Sequence, residues 1–163
     1  MFLDIDGCLT SEIDGNYFNP DPTRYHPSKR IVADILDFCE KENVSIVISS
    51  NWRKFDIDGY WNNSYGTYKN PLAEVKDLLK KFCIGTLPPD RHITKAKALI
   101  KWLNETAYDG NFVIFDDDAR EGYQTTDDFG IKNKFVSIDS RFGITEKDLK
   151  EAKEILRNNG INC

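Results

Sequence analysis

Two aspartates, Asp4 and Asp6, stand two residues apart in the fragment DIDG, behind a lead-in of only three apolar residues. In extended backbone, residues i and i+2 face the same way, so the two carboxylates repel each other unless a cation lies close by. A second acidic run, Asp116 to Asp118, follows the apolar fragment FVIF. Carboxylates at the ends of two strands make an oxygen-rich site suited to a hard cation. Mg²⁺ in particular accepts one or two carboxylates, with water and phosphate oxygens completing its shell. Such an ion would neutralise Asp4 and Asp117, draw in a phosphate and leave a carboxylate usable as a nucleophile. Asp4, last on its strand, is placed to attack phosphorus. Asp6, two residues on, is placed to protonate the leaving oxygen and later to activate water.

The remaining oxygens of a transferring phosphoryl group need donors and positive charge. Ser49 and Ser50, in the fragment VISS, offer hydroxyls at another strand end. Lys95 sits just inside the start of a predicted helix, where the helix N-terminus itself favours anions.

Short apolar runs alternate along the chain with amphipathic helical patterns, the arrangement of a mostly parallel α/β sheet. The first strand ends near Ile5. A polar stretch rich in Pro and Gly follows, and Pro27 and Ser28 open a helix with Ile31, Ile35 and Cys39 on its inner stripe. Val44 to Ile48 is β-branched and reads as a buried parallel strand. A helix is predicted from Pro71 to Cys83, and another from Thr94 as cap, with Ala96, Leu99, Ile100 and Leu103 inward. FVIF and KFVSID are the next strands, and a closing helix runs from the cap Thr145 to a stop at Gly160. In parallel sheets of this kind ligands bind beyond the carboxyl ends of the strands. That rule gathers Asp4, Asp6, Ser49, Ser50, Asp116 and Asp117 along one edge. The short lead-in to Asp4 predicts a loosely held nucleophile.

With 163 residues the chain has the length of a single domain spanning 1–163, long enough to bury a core. A net charge of -5 gives no general attraction to nucleic acid or to anionic membrane. The absence of a long apolar run and of a signal-peptide layout predicts a cytoplasmic location. Cys8, Cys39, Cys83 and Cys163 form no CxxC pair, and His26 and His92 are too far apart for a histidine metal motif, so neither set predicts a metal centre.

DIDGCLT, VISS, the Lys95 helix and FDDD resemble, in order, the four motifs of haloacid dehalogenase (HAD) superfamily phosphatases. FLDIDGCL, SSNWR, the helix ending in KWL and the GIT helix are most similar to the HAD domain of Swiss Army knife RNA-repair proteins. The resemblance implies a Rossmann-like three-layer α/β/α sandwich, Mg²⁺ dependence and an aspartyl-phosphate intermediate. It implies Asp4 as nucleophile and metal ligand, and Asp6 as acid/base with its backbone carbonyl on the metal. It further implies Ser49 as phosphate-binding hydroxyl, Lys95 as charge clamp and Asp117 as second acidic ligand with Asp116 beside it. Ser50 is the alternative to Ser49, and Lys97 or Arg53 the alternatives to Lys95. The segments at about 10–27 and 54–70 are too short for a full cap domain, so the cap is minimal. An open site suits a large phosphorylated substrate, with RNA or DNA ends favoured by the resemblance and small metabolites or nucleotides as the alternative.

Each feature also has a plainer reading. Asp6-Gly7 alone is a turn signal, Asp116 to Asp118 alone a helix cap, and Lys95 alone an exposed helix lysine. Cys8 is a packing residue, since no arginine follows it to hold a phosphate. The aromatics Tyr60, Trp61, Tyr65 and Tyr68 either pack on the domain or stack nucleobases. The rival to an enzyme is a non-catalytic module that binds metal, phosphate or a partner protein on the same scaffold.

Overall fold

The structure, a computed structural model, describes residues 1–14, 26–54, 71–90 and 92–158. The described elements are β1 (Phe2–Leu3), α1 (Lys29–Glu42), β2 (Ile46–Ile48), α2 (Pro71–Leu78), β3 (Cys83–Thr86), α3 (Lys95–Thr106), β4 (Ile114–Asp116), β5 (Phe135–Ser137) and α4 (Glu146–Asn158). Short 3₁₀ turns follow β2 and β4. The strands form one sheet in the order β3-β2-β1-β4-β5, every neighbouring pair parallel. The first strand in sequence is therefore the central one. Although only two residues long, β1 is bonded on both sides, with Phe2 N–H donating to the Val113 carbonyl and Val47 N–H to the Met1 carbonyl, each at 2.8 Å. Pairing on both edges offsets the shortness that predicted a loose nucleophile.

Successive strand residues face opposite sides, and this alternation divides the core. Leu3, Ile46, Ile48 and Phe115 pack with Ile31, Ile35 and Cys39 of α1, Leu72 and Val75 of α2 and Ala152 of α4. Phe2, Val47 and Ile114 face the other way, onto Ala96, Leu99 and Leu103 of α3 and onto Tyr123 and Ile131 beyond β4. The result is the three-layer α/β/α sandwich expected from the sequence.

Helix starts follow local chemistry. Ser28 caps α1 by accepting the Ile31 N–H, and Thr94 caps α3 by accepting the Lys97 N–H. At α4 the capping is reversed, with Asp148 accepting both the backbone N–H and the hydroxyl of Thr145, at 2.8 and 2.6 Å. The segment after Pro71 differs from expectation. Helix α2 stops at Leu78, and Cys83 to Thr86 form an edge strand beside β2 instead of a helix end and loop. Among the described residues no helix is long and apolar enough to cross a membrane. Tyr60, Trp61, Tyr65 and Tyr68, Gly160, Cys163 and the side chain of Arg53 lie outside the described residues.

Candidate active site

Parallel pairing sets Leu3 beside Ile48 on one side and Phe115 on the other. The next residue of each strand, Asp4, Ser49 and Asp116, therefore comes level at the carboxyl edge. The ladder extends one step to hold them, with Asp4 N–H donating to the Phe115 carbonyl at 3.0 Å and Ser49 N–H to the Leu3 carbonyl at 2.8 Å. Asp4, Ser49, Ser50 and Asp116 are all buried, Asp4 with 2% of its surface exposed. One side chain from another layer joins them. Lys95, first residue of α3, donates through Nζ to Asp4 Oδ2 at 2.7 Å and to Asp116 Oδ2 at 2.8 Å. Lys97 is exposed, so α3 brings Lys95 and not Lys97 to the acids.

Removing three charges from water is costly unless they satisfy one another. Burial by itself would lower the Lys95 pKa, but Asp4 and Asp116 outweigh it and hold the ammonium protonated. Burial pushes the Asp116 carboxyl up, Asp4 adds to the rise, and Lys95 opposes it. The half-buried Asp117 is pushed up to about 6, by burial first and by Asp4 second, against the pull of Lys95. Negative charge is thus in excess in a desolvated space. Burial, reinforced by Asp4, Asp116 and Asp117, raises the Cys8 thiol well above its ordinary range, so it supplies no thiolate nucleophile at neutral pH.

The carboxylates differ in what remains open on them. Both oxygens of Asp116 are engaged, Oδ2 by Lys95 and by the Tyr123 hydroxyl at 3.2 Å, Oδ1 by the Asp118 N–H at 3.0 Å. Tyr123 is itself buried and stacked on Phe135 with ring centroids 5.2 Å apart. Asp4 Oδ1 is buried and, among the described residues, has no hydrogen-bond partner. A buried carboxylate oxygen without a donor carries a desolvation cost that a cation would remove. Oxygens of Asp4, Asp116 and Asp117 lie within 4.8 Å of one another. An orphaned oxygen within an all-carboxylate donor set fits a hard divalent cation such as Mg²⁺. Asp6 is half-buried on the turn that follows and its carboxylate is not part of this cluster.

Gly7 sets the placement of Asp117. It has a positive φ of 65°, and a Cβ there would lie 2.2 Å from Asp117 Oδ2. The turn is closed locally by Gly7 N–H donating to Thr10 Oγ1 at 3.0 Å. Gly7→Ala must therefore strain the backbone by about 1–2 kcal/mol and push the Asp117 carboxylate away. The expected result is a melting point lower by about 2–4 °C for each kcal/mol, with weaker Mg²⁺ binding by calorimetric titration. Wild-type affinity for Mg²⁺ in this variant would show that Asp117 is not a ligand.

The N-terminus of α3 departs from the sequence reading. Its first amide, the Lys95 N–H, donates to Glu121 Oε2 at 2.9 Å, so a protein carboxylate and not an incoming anion occupies that end. Lys95 acts on the site through its side chain. Glu121, Tyr123 and Asn51 were not singled out by sequence. Their only signal was polar side chains within a few residues of FDDD and VISS, in segments without helix or strand period.

The chain matches the family model for the HAD domain in Swiss Army Knife RNA repair proteins over residues 1–149. No curated protein and no solved structure matches it. A parallel sheet with acids at its central strand ends and a lysine between them agrees with that match, and the chain belongs to the HAD domain family of Swiss Army Knife RNA repair proteins.

Proposed function

We propose that the protein is a Mg²⁺-dependent phosphomonoester hydrolase that works through an aspartyl-phosphate on Asp4. The observation that carries this reading is the Asp4 carboxylate, buried at the carboxyl edge of the central strand. Lys95 fixes it through one oxygen, and the other has no partner among the described residues. Membership of a HAD family supports phosphatase-type chemistry at the coarse level.

Asp4 and Asp117, with the backbone carbonyl of Asp6, would hold the ion, which supplies charge neutralisation for the nucleophile and the phosphoryl oxygens. An Asp4 oxygen attacks phosphorus as the bond to the ester oxygen breaks, and Asp6 gives that oxygen its proton. The resulting Asp6 carboxylate then takes a proton from water, which attacks phosphorus, releasing inorganic phosphate and regenerating Asp4. Ser49 holds a phosphoryl oxygen. Its amide is bonded to the Leu3 carbonyl, which sets it level with Asp4 and supports Ser49 over Ser50 in that role. Lys95 keeps the Asp4 carboxylate aligned, and Asp116 keeps Lys95 in place.

For substrate, the family description favours a phosphorylated RNA or DNA end. The net charge of -5 means that such an end would be recognised at the site and not through general attraction to the polynucleotide. Hydrolysis of p-nitrophenyl phosphate, with and without Mg²⁺, tests the chemistry. A panel of 3′- and 5′-phosphorylated RNA and DNA ends beside nucleotides, sugar phosphates and phosphopeptides tests the substrate. Turnover that requires Mg²⁺ and is fastest on ends is expected. No turnover on any phosphoester would overturn the enzyme reading, and ends processed no faster than free nucleotides would overturn the substrate.

A further inference from the structure

One carboxylate outside the acidic cluster ties three parts of the site together. Glu121 lies on the 3₁₀ turn Ala119–Glu121, five residues past Asp116. Its Oε1 accepts the Asn51 Nδ2 at 2.8 Å, and its Oε2 accepts the backbone N–H of Lys95 at 2.9 Å. Asn51 directly follows Ser49 and Ser50, and Lys95 carries the ammonium that holds Asp4. The three residues come from the segment after β2, the start of α3 and the segment after β4, separated in sequence by 70 and 26 positions. With both oxygens committed to donors, Glu121 is not left to bind a cation, and it is absent from the group of acids whose oxygens converge.

We infer that Glu121 is a positioning residue of the proposed phosphatase, a two-oxygen bridge that sets the Ser49-Ser50-Asn51 strand end against the Lys95 end of α3. The inference rests on that reading of the site. The phosphoryl group would meet Ser49 from β2 and the Lys95-oriented carboxylate from β1. The ladder already holds Ser49 level with Asp4, whereas Lys95 reaches Asp4 from the helical layer and needs a tie of its own to the β2 end. A charge-assisted bridge from a short turn provides that tie, because a carboxylate accepts two donors at once in fixed geometry. A shift of about 1 Å in such a contact costs on the order of a hundredfold in rate.

The chemistry of the bridge gives a test that separates positioning from ordinary helix capping. In Glu121→Gln a single carboxamide oxygen can serve one donor, and its NH₂ group is turned toward the other. If the oxygen stays on the Lys95 amide, the cap survives and only the tie to Asn51 is lost. Combining it with Asn51→Asp restores the complement. The new carboxamide then donates to the new carboxylate, the reverse of the native direction, while the carboxamide oxygen still accepts from Lys95. The net charge is unchanged. The protein with Mg²⁺ is assayed for kcat and KM on p-nitrophenyl phosphate, alongside thermal melts of wild type, both single variants and the double variant.

Glu121→Gln is expected to lower kcat about tenfold to a hundredfold with a smaller change in KM, and the double variant to recover most of kcat. A Glu121→Gln kcat equal to wild type overturns the positioning role. So does a loss that the double variant fails to recover while its melting point returns, since the bridge would then be structural alone. If the wild type itself has no Mg²⁺-dependent turnover, the phosphatase reading fails and the positioning role falls with it, whereas in the other two outcomes the phosphatase reading stands.

Discussion

Asp4→Asn is expected to lower phosphatase kcat/KM by about four orders of magnitude or more while leaving the metal-free protein as stable as the wild type, or more so. The first effect follows from chemistry: a carboxamide is a poor nucleophile, and losing the attacking group of a covalent mechanism removes nearly all catalysis beyond binding. The second follows from the charges. Lys95 faces two buried carboxylates, Asp4 and Asp116, each within 2.8 Å, and Asp117 stands nearby. Two acids against one ammonium leave negative charge in excess in the folded state. Asparagine keeps an oxygen to accept the Lys95 hydrogen bond and removes one of those charges, so the Lys95–Asp116 pair becomes balanced. Sites built for reaction often hold such charge at a cost in stability. Melting without Mg²⁺ and kinetics with it measure the two effects separately. Mg²⁺ should also raise the wild-type melting point more than that of the variant, because an ion that binds only the folded state stabilises according to its affinity. Activity above about a hundredth of wild type in Asp4→Asn would remove Asp4 from the role of nucleophile.

Lys95→Met is expected to act on the same contact with the opposite sign in stability. Methionine preserves much of the side chain's apolar length but leaves Asp4 and Asp116 buried without a countercharge. Breaking a buried pair by removing one partner costs about 3–5 kcal/mol, which corresponds to a fall of about 10 °C in melting temperature for a chain of this size. Mg²⁺ should restore part of that loss, since a cation near Asp4 and Asp117 supplies some of the missing charge. Turnover should drop by about a hundredfold to a thousandfold, as for removal of a single preorganised electrostatic group. A melting temperature within about 2 °C of wild type would mean that Lys95 does not neutralise the acids as its distances indicate. Together the two variants separate electrostatics from general disruption, because loss of packing would destabilise both.

The plan of the domain was legible in the sequence where local chemistry and periodicity suffice. The alternation of β-branched runs with helical stripes gave the parallel sandwich, and Ser28 and Thr94 announced helices by their capping chemistry. The ends of DIDG, VISS and FDDD marked the edge where the acids and hydroxyls gather. Strand β3 was not legible. Leu79 and Phe82 continue the spacing of the preceding helix, and CIGT is a half-exposed edge strand containing a glycine, so neither period nor propensity separated it from a helix end. Lys95 was legible as a cation at a helix start, but not as a residue buried to 2% exposure between two carboxylates.

What the sequence alone determined is the inventory of the site and the elements that bear it, because strand alternation, helix period and side-chain type are properties of neighbours in the chain. Which oxygens are engaged and which is left open was decided only by tertiary structure. Asp116 is saturated by Lys95, Tyr123 and the Asp118 amide, whereas Asp4 keeps one oxygen without a partner among the described residues. Gly7 leaves the space that the Asp117 carboxylate fills, and Glu121 joins Asn51 to Lys95 across three segments. The physical reason is range: a hydrogen bond forms or fails over a few tenths of an ångström, and those distances are set by strand register and layer packing between residues as much as 91 positions apart.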